Sequence, residues 1–217
     1  DTAARDLHSV NTVAFRDGKA IGYNTDILGF AASLTRDGVT LRGKKVLLLG
    51  YGGAASVMAY HCVTQGAYVT ITGRNLEKAA ALQKQLCAAV PGAHVAVFSR
   101  RHIPRDIQIV LNSTPVGMYP KESTAPLHYL PHKTEYVFDA IYNPPVTATM
   151  KLANHKKTKT RDGLYMLVMQ AAHAQTIWSG VQFEPQACET ILRRTYGKKA
   201  VKRLHEEHNK RNIVLCG

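Results

Sequence analysis

Hydrophobic and polar positions along the chain change their period several times, and each change marks an element. Apolar and polar residues alternate in "VNTVAFRDGKAIGYNTD", which predicts two short strands around a turn at Asp17-Gly18. "ILGFAASLTRDGV" then carries apolar residues at helical spacing and stops at Gly38. From Val46 onward strands and helices alternate. The pattern predicts strands at Val46–Leu49, Tyr68–Thr72, Val95–Phe98, Ile107–Asn112 and Tyr136–Ala140. It predicts helices over Ala54–Gln65 and over Leu76–Ala89, the second ending before Pro91-Gly92. Apolar strands spaced by helices imply a parallel sheet covered on both faces. "DGLYMLVMQAAHAQTIWSG" predicts a long amphipathic helix after an Asp-Gly turn, and Pro185 opens a last helix. No internal repeat or low-complexity linker interrupts the pattern.

The loop after the first sheet strand carries specific chemistry. Gly50-Tyr51-Gly52-Gly53-Ala54-Ala55 fits G-x-G-x-x-G/A, with Ala55 in the third place. The first glycine turns the chain out of the strand and the second lets backbone approach a pyrophosphate. The small third residue packs helix on strand. The free N–H groups and positive dipole end of the helix then face the phosphates. The loop therefore reads as a dinucleotide site rather than a plain tight turn, because a strand precedes it and a helix follows. NAD-binding units place an acidic residue about 20 residues on to take the ribose hydroxyls. This chain has Gly73-Arg74-Asn75 there, with Lys78 one turn further, and no carboxylate at the strand end. Arg74 fits a 2′-phosphate and Lys78 adds a second positive charge, which selects NADP(H). The bland alternative is a solvated surface arginine.

The wider composition adds limits. The 217 residues, 45% hydrophobic, suffice for one large domain or two small lobes. Cys62, Cys87, Cys188 and Cys216 show no CxxC spacing, which points to a reducing cytosol and a cytoplasmic protein. No HExxH or Cys/His cluster appears, so no metal site is expected. No apolar run approaches the roughly 20 residues of a membrane helix, and no signal peptide is visible. The opening "DTAARDL" reads as an entry in mid-domain. A net charge of +13 favours anionic partners or serves solubility. The tail "RRTYGKKAVKRLHEEHNKR" is basic, but it matches no nucleic-acid motif and reads as a solvated helix face.

Seven segments in order resemble the shikimate dehydrogenase family, over Ser9 to Phe183. "VNTV" resembles the family's "AVNT" followed by Val or Leu, and "GYNTDILGF" its "GxNTDxxGF". "GYGGAA" is similar to "GAGGAA", with Tyr51 in place of Ala. "TGRNLEKA" resembles "xNRTxxKA"; Gly73 and Asn75 depart from Asn and Thr while Arg74 remains. "LNSTPVGMYP", "VFDAIYNPPVT" and "DGLYMLVMQAA" resemble "NxTPxGM", "xxDxxYxPxxT" and "xGxxMLxxQA".

The resemblance implies NADPH-dependent, reversible reduction of 3-dehydroshikimate to shikimate, on the route to chorismate and the aromatic amino acids. It implies that Asp26 forms an acid–base dyad with a lysine from an upstream "VTxPxK" segment. It also implies that Asn11, Asp26, Tyr142 and Gln170 line the substrate pocket. Gly50, Tyr51, Gly52, Gly53, Ala54, Gly73, Arg74, Asn75, Lys78, Ala140 and Gly163 would face the cofactor. Read without the family, Asp26 is an N-cap candidate, Asn11 a turn residue, Tyr142 a loop tyrosine before Pro144, and Met166 and His173 helix fillers. Several neutral polar side chains are nevertheless what a polyhydroxy acid needs to fix its ring. Lys19 is the only lysine before Asp26 and sits in a hairpin turn, which does not suit the catalytic role. The upstream lysine and a Ser pair for the substrate carboxylate are absent from the chain, so it is expected to bind NADP(H) and turn over shikimate poorly by itself. A missing N-terminal segment or a homodimer would complete it; no nucleic-acid or membrane partner is expected. The rival readings are a non-catalytic NADP or metabolite sensor and, behind it, a basic nucleic-acid binder.

The expected fold is α/β: a Rossmann-like doubly wound parallel sheet flanked by remnants of a smaller substrate-binding α/β lobe. Residues 1–25 form one remnant, 26–163 the NADP-binding domain, and 164–217 helices that return to the substrate lobe.

Overall fold

A computed structural model describes residues 1–153, 158–184, 187–188, 190–192 and 194. Helix α1 (Thr2–Leu7) leads into the hairpin β1 (Thr12–Arg16) and β2 (Lys19–Tyr23), and α2 (Asp26–Arg36) follows. Then come β3 (Lys45–Leu49), α3 (Gly53–Thr64), β4 (Tyr68–Thr72), α4 (Leu76–Ala89) and β5 (His94–Val97). The second half contains β6 (Ile109–Asn112), β7 (Tyr136–Asp139), α5 (Ala148–Lys151), β8 (Lys159–Arg161) and α6 (Leu164–Ser179). The expected hairpin, the parallel sheet and the principal helices are all present, with ends within about two residues of expectation. A helix beginning at Pro185 and the basic tail's course lie largely outside the described residues.

Strands β3 to β8 form one six-stranded parallel sheet in the order β5-β4-β3-β6-β7-β8. The first crossovers run one way from β3 and the later ones the other, so the order reverses between β3 and β6. Ligands of open α/β sheets bind outside the carboxyl ends of the strands at that point.

Successive side chains of a strand point to opposite faces, and the core divides accordingly. Val46, Leu48, Ile109, Leu111, Tyr136 and Phe138 enter one apolar cluster with α2, α3 and α4. Leu47, Leu49, Val110 and Val137 enter the other, with Ile107, Leu127 and Leu130. This explains why β3 is almost wholly apolar: it is the central strand and both its faces are buried. The edge strand β8, Lys-Thr-Arg, is polar, which suits an edge and hides it from any search for apolar runs.

Helix α2 joins the hairpin to the sheet. Phe30, fully buried, meets Phe138 edge-to-face with ring centroids 5.1 Å apart. On its other side α2 packs against α6. A Cβ at Gly29 would strike the Met166 carbonyl oxygen and approach the Gln170 backbone nitrogen to 3.0 Å, so this glycine sets how closely the two helices approach. Beyond the end of α2, Asp37 accepts from Tyr136 Oη at 2.8 Å and from Arg161 Nε at 2.8 Å, with a second contact from Arg161 Nη2. One carboxylate thus ties α2 to β7 and β8.

Candidate active site

Two groups of side chains lie in the regions that the sequence marks. The first is the end of β3. Gly50 has φ +116°, and a Cβ there would strike Ser113 Oγ at the end of β6. Ser113 Oγ is itself committed to the Leu49 carbonyl oxygen at 2.7 Å. Gly50 is therefore required by the turn and by its neighbour across the switch point.

Gly52 and Gly53 differ from Gly50. Gly52 caps α3 with φ −89° and ψ −168°, a conformation open to any residue. A Cβ at Gly52 or Gly53 would meet no atom of the described residues within 4 Å. Neither backbone strain nor packing among those residues demands glycine there; a ligand brought close to the backbone would. The start of α3 carries no side-chain cap and no acidic residue in its first turn, so its N–H groups and positive dipole end are open to an anion.

At the end of β4, Arg74 and Lys78 are exposed, and neither makes an ion pair among the described residues. Asn75 is the N-cap of α4, accepting from the Lys78 backbone nitrogen at 2.9 Å, which fixes the turn that presents Arg74. Gly73 lies directly against the ring of Tyr51. Ala140 and Gly163 are also brought together: a Cβ at Gly163 would run into the Ala140 carbonyl, and Gly163 N–H donates to Ile141 O at 3.1 Å. The residues present fit a dinucleotide carrying an extra phosphate: an open glycine cradle, an uncapped helix start and two cations unpaired among the described residues.

The second group lies where the hairpin meets α2 and α6. Asn11 Oδ1 accepts from Thr25 N–H at 2.9 Å. Thr25 Oγ1 lies 3.2 Å from Asn11 Oδ1 and 3.3 Å from Gln170 Oε1, and its one proton serves either acceptor. Burial raises the Asp26 carboxyl above its ordinary value, and a hydrogen bond from the Asn11 side chain partly offsets this. The N-cap reading of Asp26 is corrected: Thr25 holds the cap position and Asp26 is the first residue inside α2. Its carboxyl is therefore not spent on a capping bond. The structure gathers Asn11, Asp26 and Gln170; Tyr142 lies on the loop after β7 with its side chain exposed. Lys19 is exposed on β2. Met166 is buried, as a core filler should be, and burial lowers the His173 pKa.

A network absent from the sequence-derived site supports the loops around it. Asn112 and Asp139, both 0% exposed, pair at 3.0 Å across β6 and β7. Asp139 also accepts from Ile141 N–H and from Thr147 Oγ1, while Asn112 Oδ1 accepts from Thr114. Buried polar groups need such partners. Both residues stand inside motifs quoted above, but the adjacency of β6 and β7 that pairs them is not written in the sequence.

Strand order and glycine loop together define a dinucleotide-binding α/β protein of the Rossmann class. Comparison with known proteins narrows this. The family model for shikimate / quinate 5-dehydrogenase matches residues 32–163. The NADP(+) shikimate dehydrogenase of Methanosarcina acetivorans is 38% identical over 188 residues, covering 84% of this chain and 67% of the relative. A solved shikimate dehydrogenase in complex with NADP+ superposes with a TM-score of 0.81 at 33% identity, covering 90% of this chain and 69% of that one. The shikimate 5-dehydrogenase of Thermus thermophilus, in complex with NADP(H) and shikimate, gives 0.75 at 30% identity, with 89% and 71% covered. The chain belongs to the shikimate / quinate 5-dehydrogenase family. It spans about two thirds of the length of the curated relatives it matches.

Proposed function

We propose that this chain carries the NADP(H) site and part of the substrate site of a shikimate dehydrogenase, which interconverts 3-dehydroshikimate and shikimate in the cytoplasm. The observation that carries the reading is the pair of glycines, Gly52 and Gly53, that no described residue requires, together with Arg74, whose guanidinium has no partner among the described residues. The dinucleotide, when bound, supplies or takes up the hydride. The chain's own residues do the rest. The start of α3 and the backbone at Gly52 and Gly53 hold the pyrophosphate, and Arg74 with Lys78 holds the 2′-phosphate. Gly163 and Ala140, packed backbone to backbone, face the cofactor in this reading. Asn11, Tyr142 and Gln170 orient the hydroxylated ring through neutral hydrogen bonds. Asp26 exchanges the proton at the reacting oxygen; its raised pKa brings the carboxyl closer to the range where proton transfer is useful. Asn11 keeps it oriented. Residues 1–25 and 164–217 belong to the substrate lobe in this reading, and 26–163 to the NADP-binding domain.

No lysine hydrogen-bonds Asp26 among the described residues. The second member of the dyad that the family resemblance implies is therefore sought outside them. The test is shikimate-dependent reduction of NADP+ followed by absorbance, in this chain and in the longest product of its gene. Turnover should appear in the form that carries the second group, and Asp26→Asn should lower kcat by roughly 10²–10⁴. Turnover indifferent to Asp26→Asn would remove Asp26 from the chemistry.

A further inference from the structure

Positions 51 and 73 are two of the places where the chain departs from the family motifs, and the fold puts them in contact. Leu49 and Thr72 are register partners in β3 and β4, so the residues just beyond them leave adjacent strands side by side. The Tyr51 ring leans from the end of β3 onto the end of β4. A Cβ at Gly73 would fall 2.5 Å from Tyr51 Cε1, 2.8 Å from Cδ1 and 3.8 Å from Cζ. Gly73 does not have a left-handed backbone, so its conformation is open to other residues. The obstacle to a side chain at 73 is the tyrosine ring. That ring is half-buried, and its hydroxyl takes no hydrogen bond among the described residues. The next residue along from Gly73 is Arg74.

We propose that Tyr51 forms a wall of the subsite for the 2′-phosphorylated adenosine, donating its phenolic proton to the phosphate beside Arg74, and that Gly73 is glycine to admit the ring. The proposal rests on the NADP(H) reading above. It makes Tyr51 a residue of cofactor discrimination: the phenol adds a donor only where a 2′-phosphate is present, while the ring narrows the space on one side of Arg74. It also couples the two positions, since any side chain at 73 displaces the ring.

The experiment measures Kd for NADPH and for NADH by calorimetry in wild type, Tyr51→Phe, Tyr51→Ala, Gly73→Ala, the double variant Tyr51→Ala/Gly73→Ala, and Arg74→Ala. Thermal unfolding of each variant checks the fold. Tyr51→Phe should weaken NADPH about tenfold and leave NADH unchanged, as expected for losing one hydrogen bond to a charged group. Gly73→Ala should weaken NADPH in the wild-type background and cost nothing further once Tyr51 is Ala. A lower preference for NADPH in Arg74→Ala with an unaltered preference in Tyr51→Phe would overturn the Tyr51 assignment and leave the NADP(H) reading standing. An equal Gly73→Ala penalty in both backgrounds would overturn the coupling. A wild-type chain that does not discriminate the two cofactors would overturn the parent reading and this one together.

Discussion

Gly52→Ser separates the fold from the function at a single position. Serine is among the best N-cap residues, and Gly52 is the N-cap of α3 with extended backbone that serine adopts freely. A Cβ at this position meets nothing within 4 Å. The stability change should therefore be a gain of a few tenths of a kcal/mol, or none. Binding should respond in the opposite direction. The new Oγ accepts from the N–H groups of the first turn of α3, which the pyrophosphate needs, and the Cβ occupies the space the phosphates approach through. Losing one hydrogen bond to a charged group costs roughly 1.5–3 kcal/mol, or about ten- to hundredfold in affinity. Gly50→Ala is the control. It places a side chain at φ +116° and drives Ser113 Oγ off the Leu49 carbonyl, at a cost of roughly 2–4 kcal/mol in stability. Calorimetric titration with NADPH and thermal unfolding of both variants read the two effects separately. A Gly52→Ser protein that binds NADPH as wild type does, with an unchanged unfolding midpoint, would refute the cradle.

Three further outcomes follow from the same structure. Arg74→Ala should weaken NADPH about ten- to hundredfold and leave NADH nearly unchanged, since its guanidinium has no partner among the described residues to lose; equal loss for both would sink the 2′-phosphate assignment. The folded pKa of Asp26 lies above the unfolded value, so its charge costs stability once pH rises through the folded pKa. Asp26→Asn should accordingly raise the unfolding midpoint at neutral pH, and the gain should vanish as pH falls below the ordinary value of 3.8; a gain that grows in acid contradicts the sign. Asp37→Ala strands Arg161, whose side chain is 25% exposed, and should lower stability by roughly 3 kcal/mol in urea with an unchanged slope.

Much of this was legible in the sequence because local rules write it there. The glycine loop declares itself by three glycines in four residues between an apolar run and a helix. Tyr68–Thr72 and Leu76–Ala89 have the expected ends because β-branched residues and an Asn cap bound them. Residues whose partners come from distant segments were not legible in this way. Asp37 carries no signal in the sequence beyond standing before the Gly38 stop, and only the sheet order reveals that it receives Arg161 from β8. Asn112 and Asp139 needed the adjacency of β6 and β7, and the reason for glycine at 73 needed the Tyr51 ring that the fold sets beside it. The N-cap of α2 was misassigned to Asp26 because Asn, Thr and Asp in succession all favour that position.

Titration of the 217-residue chain with NADPH and NADH in parallel measures directly whether the site prefers NADP(H). Both should bind saturably, with NADPH at least about tenfold tighter, as one charge-assisted phosphate contact requires. Equal affinities, or no binding of either, would contradict it.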